Sequence, residues 1–93
     1  MLDRILGRLR QKVRARRYVM TLHAEEEMNE DGLTVSDVES AVLTGAIVER
    51  QKDGETGELK YRVRGESLAA EAVEVVVKIG PTGKVVVITV YLV

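Results

Sequence analysis

Cysteine, tryptophan and phenylalanine are absent from this sequence, and histidine and proline occur once each, as His23 and Pro81. Without cysteine, no disulfide can staple the fold, and thiolate-based zinc or iron–sulfur sites are excluded. One histidine among carboxylates gives at most two ligands from one helix, so neither a metal site nor any other cofactor is expected. The aromatics are three tyrosines, Tyr18, Tyr61 and Tyr91. That is too few for the stacking platforms of a general RNA-binding domain. The longest apolar run, Val85 to Val93, falls far short of the roughly 20 residues that span a bilayer. No apolar stretch with a small-residue cleavage site marks a secretion signal, so a cytoplasmic, prokaryotic and non-membrane protein is expected. Phosphate-cradling glycine loops, nucleophile elbows and dinucleotide fingerprints are also missing, which removes the common NTPase, kinase, dehydrogenase and hydrolase classes.

What is present is uneven in charge. The 93 residues carry a formal net charge of −1. Residues 1–17 hold seven bases and one acid, a local charge of +6, and the remainder holds seven bases and fourteen acids, −7. A basic head on an acidic body is the informative feature. The basic segment could bind RNA, lie on an anionic membrane, or pack on acidic surface of its own or a neighbouring chain, and the last is the expectation.

The hydrophobic pattern gives one α+β domain: N-terminal helices packed on a four-stranded antiparallel β-sheet. Leu2, Ile5, Leu6, Leu9 and Val13 recur at helical spacing, so residues 1–17 read as an N-terminal basic amphipathic helix that breaks at 16–18, ahead of the domain proper at 18–93. Val19–Met20 reads as a short extended piece. A second helix runs from about Leu22 to Asp31, with Thr21 as N-cap and Gly32 past its end. A third begins at a capping box, Thr34 and Asp37, flanked by Leu33 and Val38 as a hydrophobic staple, and stops at Gly45. The period then becomes two. Ile47–Gln51, Leu59–Arg64, Val73–Ile79 and Val85–Leu92 read as strands, with a turn over Gly80–Gly83. The last strand is apolar on both faces, which places it centrally. Simple alternation sets Val86, Ile88, Val90 and Leu92 on one side and Val85, Val87, Thr89 and Tyr91 on the other. The second and third helices would cover one face of the sheet. The first helix or a partner chain would cover the other, and a homodimer is expected.

Few side chains can carry chemistry. His23 shares a helix face with Glu26, Glu27 and Glu30, and carboxylates there would raise its pKa and hold its tautomer, as an acid–base residue requires. A helix-start histidine hydrogen-bonded to an acid is the plainer alternative. Lys60, Arg62 and Arg64 project from one strand face about 6.6 Å apart. They could hold a phosphodiester, or they could pair with acids on adjacent strands such as Glu49 and Glu74. Tyr61 reads as core. Tyr91 could be core or present its hydroxyl at a site.

From about Tyr18 onward the chain resembles the domain-of-unknown-function family 4258. The shared residues are His23-Ala24-Glu25-Glu26-Glu27-Met28, Gly32-Leu33-Thr34, Asp37-Val38-Glu39, Leu43-Thr44-Gly45, Tyr61, Gly65 and Thr89-Val90-Tyr91. The resemblance implies a fold akin to RelE-like and barnase-like small ribonucleases, many of them toxins held by an antitoxin protein, which cleave RNA without a metal. It implies His23, Arg62 and Tyr91 as catalytic residues, with Lys60 and Arg64 holding the RNA. Where many relatives look like they carry arginines after the histidine, this chain has Glu27 and Asp31, acids that would repel a phosphate.

Overall fold

The computed structural model describes residues 2–93. Its elements run α1 (Leu2–Arg14), β1 (Tyr18–Met20), α2 (Leu22–Asp31), α3 (Val35–Thr44), β2 (Ala46–Lys52), β3 (Leu59–Glu66), β4 (Ala72–Ile79) and β5 (Val85–Leu92). The local signals act where the residues put them. Thr21 Oγ1 accepts from the Ala24 backbone N–H at 3.1 Å to start α2. Thr34 and Asp37 close a reciprocal capping box on α3, at 2.9 and 3.2 Å. Leu33 and Val38 on either side of that cap are both buried.

The sheet has five strands in the order β1-β5-β4-β3-β2, with one parallel pair, β1 with β5, and antiparallel pairs elsewhere. This corrects the expected four-stranded antiparallel sheet. Three residues are too few for a period of two to show in sequence, and a parallel partner lies far along the chain. Tyr18, Val19 and Met20 pair with Val85, Val86 and Val87, and bonds from Val85 N to Arg17 O and from Thr21 N to Val87 O extend the ladder at both ends.

The core is one cluster between the sheet and all three helices: Leu6, Leu9 and Val13 of α1, Ala24 and Met28 of α2, and Val38, Ala41 and Val42 of α3. They meet Tyr61, Val63, Val73, Val75, Val77, Val85, Val87 and Val90. Each fully buried aliphatic side chain contributes about 1.5–3 kcal/mol. Of the two covers expected for the other face of the sheet, the first helix or a partner chain, α1 is not one. It lies on the same side as α2 and α3, where Arg10 donates to Val42 O at 3.3 Å and Gly45 O at 2.7 Å, satisfying carbonyls at the end of α3. Among the described residues, no element covers the opposite face of the sheet.

Two β-bulges sort the residues between the two faces. The β4–β5 register passes from Val77↔Val87 to Val76↔Thr89, leaving Ile88 as the extra residue. One extra residue inverts the alternation beyond it. Val85, Val87, Val90 and Leu92 therefore face the helices, and Val86, Thr89 and Tyr91 face the open side, a division that simple alternation misassigns. In β2 the shift falls between Ile47 and Glu49, so Ile47 packs on the core while Glu49 turns to the open side.

Helix ends show a contrast within the chain. The last turns of α1 and α2 close with the same bond pattern. Arg16 N donates to Val13 O and Arg17 N to Lys12 O, as Gly32 N does to Asn29 O and Leu33 N to Met28 O. Both pivots are left-handed, Gly32 at φ 70° and Arg16 at φ 56°. Glycine takes that conformation freely, whereas a side chain costs about 1–2 kcal/mol.

The tightest contact is between α3 and β3. A Cβ on Gly65 would collide with the Ala41 carbonyl, and one on Gly45 would stand 2.5 Å from Ala41 O and 2.6 Å from Arg64 O. Gly65→Ala should therefore lower the unfolding free energy by about 2–3 kcal/mol in urea titration. Gly54→Ala, in open space, should leave it unchanged. Equal stability of the two variants would show that α3 does not rest directly on the sheet backbone.

Candidate functional site

The middle of β4 reads Val73-Glu74-Val75-Val76-Val77, one carboxylate in a run of valines. Glu74 points to the open face, yet only 2% of its side chain is exposed, because three neighbours close over it. Arg62 Nη1 donates to Oε1 at 2.7 Å, and Tyr91 Oη donates to the same oxygen at 2.7 Å. Arg64 donates to Oε2 from Nε at 2.8 Å and also from Nη2. Glu49 accepts from Arg62 Nε at 3.3 Å. Arg64 sits directly opposite Glu74 on β3, Tyr91 directly opposite on β5, and Glu49 opposite Arg62 on β2. Within this cluster, Glu49 and Tyr91 are turned to this side by the bulges.

The electrostatics follow from this packing. Burial alone would push the Glu74 carboxyl up. Hydrogen bonds from Tyr91, Arg62 and Arg64, with the charge of Arg62, overcome it and hold the pKa down at about 2. The same contact raises Tyr91, chiefly through its bond to Glu74, so the phenol stays protonated and donates. Arg62 is raised for the same reason. A carboxylate this acidic, with both oxygens occupied, is a poor proton acceptor. It serves as an anchor for two guanidinium groups.

His23 stands elsewhere. Its side chain is 66% exposed, and its Nε2 lies 3.2 Å from Glu27 Oε1. Glu27 in turn accepts from the Val90 backbone N–H at 3.2 Å, and Asp31, one turn on, accepts from Leu92 N at 3.0 Å. Thr21 Oγ1 donates to Ile88 O at 3.1 Å. These three residues of the α2 segment satisfy the edge of β5 beyond the end of β1. One helical turn of four residues rises about 6 Å, close to two residues of strand at about 6.7 Å, so acids at i and i+4 match alternate strand N–H groups. The acids at 27 and 31 thus have a structural task, covering an edge that would otherwise be open to strand pairing.

The sequence-predicted residues therefore fall into two groups. Arg62, Arg64 and Tyr91 come together around Glu74, the pairing of the arginines with Glu49 and Glu74 being one of the two alternatives left open above. Lys60 is on the same strand face, opposite Gln51, without an ion pair among the described residues. His23 is on the far side of β5, with about 10 Å of sheet between β5 and β3, and no hydrogen bond or ion pair among the described residues joins it to the cluster. The sequence reading treated Glu74 only as a neutralising partner; its signal was a lone acid inside a valine strand. Among the described residues, no group of three or more histidine, aspartate or glutamate side chains could hold a metal ion. No helix there is long and apolar enough to cross a membrane.

Residues 20–92 match the family described as Domain of unknown function (DUF4258). The chain belongs to this family, and α1 lies outside the matched region. No curated protein and no solved structure matches the chain.

Because the folded pKa of Glu74 lies below its ordinary 4.5, its ionised form stabilises the fold above that value, and the contribution is lost as pH falls from 4.5 towards 2. Glu74→Gln should cost about 2 kcal/mol at neutral pH and flatten the acid limb of a stability–pH curve. A variant with the wild-type acid limb would remove Glu74 from the account.

Proposed function

We propose that this chain is a catalytically silent self-association module that meets a second copy of itself across the open face of its sheet. The observation that carries this reading is the composition of that face. Val19, 45% exposed, and the half-buried Val76, Val86 and Thr89 adjoin Tyr91, Arg62 and Arg64, and no segment among the described residues covers them. Arginine and tyrosine beside aliphatic side chains are the residues that dominate protein interfaces. The charges on this face nearly cancel: Lys60, Arg62, Arg64 and Lys78 face Glu49, Glu66 and Glu74, with Glu58 paired to Lys78 at 2.7 Å. A two-fold dimer sets a surface against its own copy, which favours mixed charge over a single sign. The same cancellation speaks against a nucleic-acid strand on this face.

A second reading keeps the toxin-like, metal-independent endoribonuclease of the prokaryotic cytoplasm, with an antitoxin partner. The observation in its favour is the exposed His23 oriented by a fixed Glu27, an arrangement suited to proton transfer. Arg62 and Tyr91 would have to leave Glu74 to join it, and Arg64 and Lys60 would then hold the RNA. The engagement of the first three with a strongly acidic carboxylate makes this the weaker reading.

Light scattering separates the two. The wild-type chain should have the mass of a dimer, and Val86→Asp, which sets a carboxylate in the apolar part of the face, should have that of a monomer with unchanged circular dichroism. A monomeric wild type would overturn the module reading. RNA cleavage by the wild type in the presence of chelator, lost in His23→Ala, would establish the ribonuclease instead.

A further inference from the structure

Most cations of α1 and of the turn that follows it form no ion pair among the described residues. Among the described residues, Arg4, Arg8, Lys12, Arg14, Arg16 and Arg17 form no ion pair, and Arg10 alone is used, on the end of α3. Of the acidic body, Glu27, Glu49, Glu58 and Glu74 are engaged elsewhere. Packing through Leu6, Leu9 and Val13 therefore explains the apolar stripe of the helix and leaves its charge unexplained.

The free cations are ordered. Arg4, Arg8 and Lys12 recur every fourth residue, so they form one ridge with steps of about 6 Å along the helix, and Arg16 and Arg17 follow past its end. Arg8, Lys12 and Arg17 converge on a concavity of about 260 Å³, lined further by Gln11 and Ala15. The β4–β5 turn approaches two of these cations: a Cβ on Gly83 would stand 3.8 Å from Lys12 Nζ and 4.0 Å from Arg17 Nη2. Arg17 is held in place by its backbone, through Arg17 N to Lys12 O at 2.8 Å and Val85 N to Arg17 O at 3.0 Å. Arg16 occupies a left-handed position that the matching turn of α2 gives to Gly32. A cation is kept where glycine would relieve strain, and such positions are characteristic of functional surfaces.

The geometry points to a binding surface for the phosphate backbone of single-stranded nucleic acid along the Arg4–Arg8–Lys12 ridge, continued by Arg16 and Arg17 past the end of the helix. A regular row of cations matches a polymer with regular anions. A membrane is the poorer fit, because the apolar stripe that would enter it is buried in the core. The scarcity of aromatics leaves little for base stacking, so the contact is electrostatic and indifferent to sequence. This surface is separate from the open sheet face and does not depend on how that face is used.

The test is fluorescence anisotropy of a labelled single-stranded RNA of mixed sequence with the full chain, titrated with salt. Five phosphate contacts should make log K fall with log salt at a slope of about −3.5. Arg8→Glu should weaken binding about tenfold or more at low salt and flatten that slope by about 0.7. Arg16→Gly should weaken binding while raising the melting temperature, an outcome that loss of fold cannot produce. Absence of binding by the wild type at low salt, or equal binding by both variants, would overturn the proposal. So would displacement of the RNA by polyglutamate at equal charge, which would indicate an acidic protein partner. Capture of the chain by phosphatidylserine vesicles in preference to RNA would overturn it in favour of a membrane.

Discussion

An ionised carboxylate with almost none of its surface in water needs a partner at each oxygen, and the side of the sheet that carries Glu74 is arranged around that need. Two guanidinium groups and one phenol supply the partners from the strands on either side. Each lies at a register position that puts it opposite Glu74 or next to it, so the network requires three strands in one alignment. Slipping β3 or β5 by one residue would send Arg64 or Tyr91 to the helical face and leave the charge unmatched, which costs several kcal/mol. Polar pairing across this sheet thus specifies register, a task that a strand face made only of valines performs weakly.

The helical side is organised by backbone approach. Ala41 meets Gly65, with Gly45 admitting the turn from α3 into β2, and α1 then lies against α3 through Arg10. The three-residue strand β1 ties this layer to the sheet. Its parallel pairing with β5 carries the chain from the end of α1 directly into α2. Both helices consequently lie over the same face, and α2 continues past β1 to cover the remaining edge of β5 with Glu27 and Asp31. The molecule is two-sided as a result, helices and apolar core on one side and a mixed polar and aliphatic sheet surface on the other, with unpaired cations along α1.

This division of labour separates two kinds of charged residue that look alike in sequence. Arg62 and Arg64 alternate cleanly on a strand and suggest a phosphate site, but their donors are committed to Glu74. Arg8 sits in a helix that reads as simply amphipathic and Arg16 and Arg17 just past its end, yet among the described residues they form no ion pair. The net charge of −1 conceals this, because opposite charges that cancel in the sum are not neighbours in space.

Local chemistry was legible in the sequence alone. The caps at Thr21 and Thr34, the glycine stop at Gly32, the Gly80–Gly83 turn and the four longer strands each depend on residues a few positions apart, and propensity and periodicity report on that range. The alternation of Arg62 and Arg64 with Tyr61 and Val63 likewise gave their shared face, and their acidic partners on neighbouring strands were among the readings open. Three features came only with the tertiary structure. A strand of three residues forms because a distant strand offers it hydrogen bonds. Bulges at Val48 and Ile88 move Glu49 and Tyr91 to the open face because each strand must match its neighbour's register, a cross-strand condition invisible along one chain. The placement of α1 beside α3, and of His23 on the far side of β5 from the arginines, follows from which surfaces can be buried together, and periodicity says which face of an element is apolar without saying what it will meet.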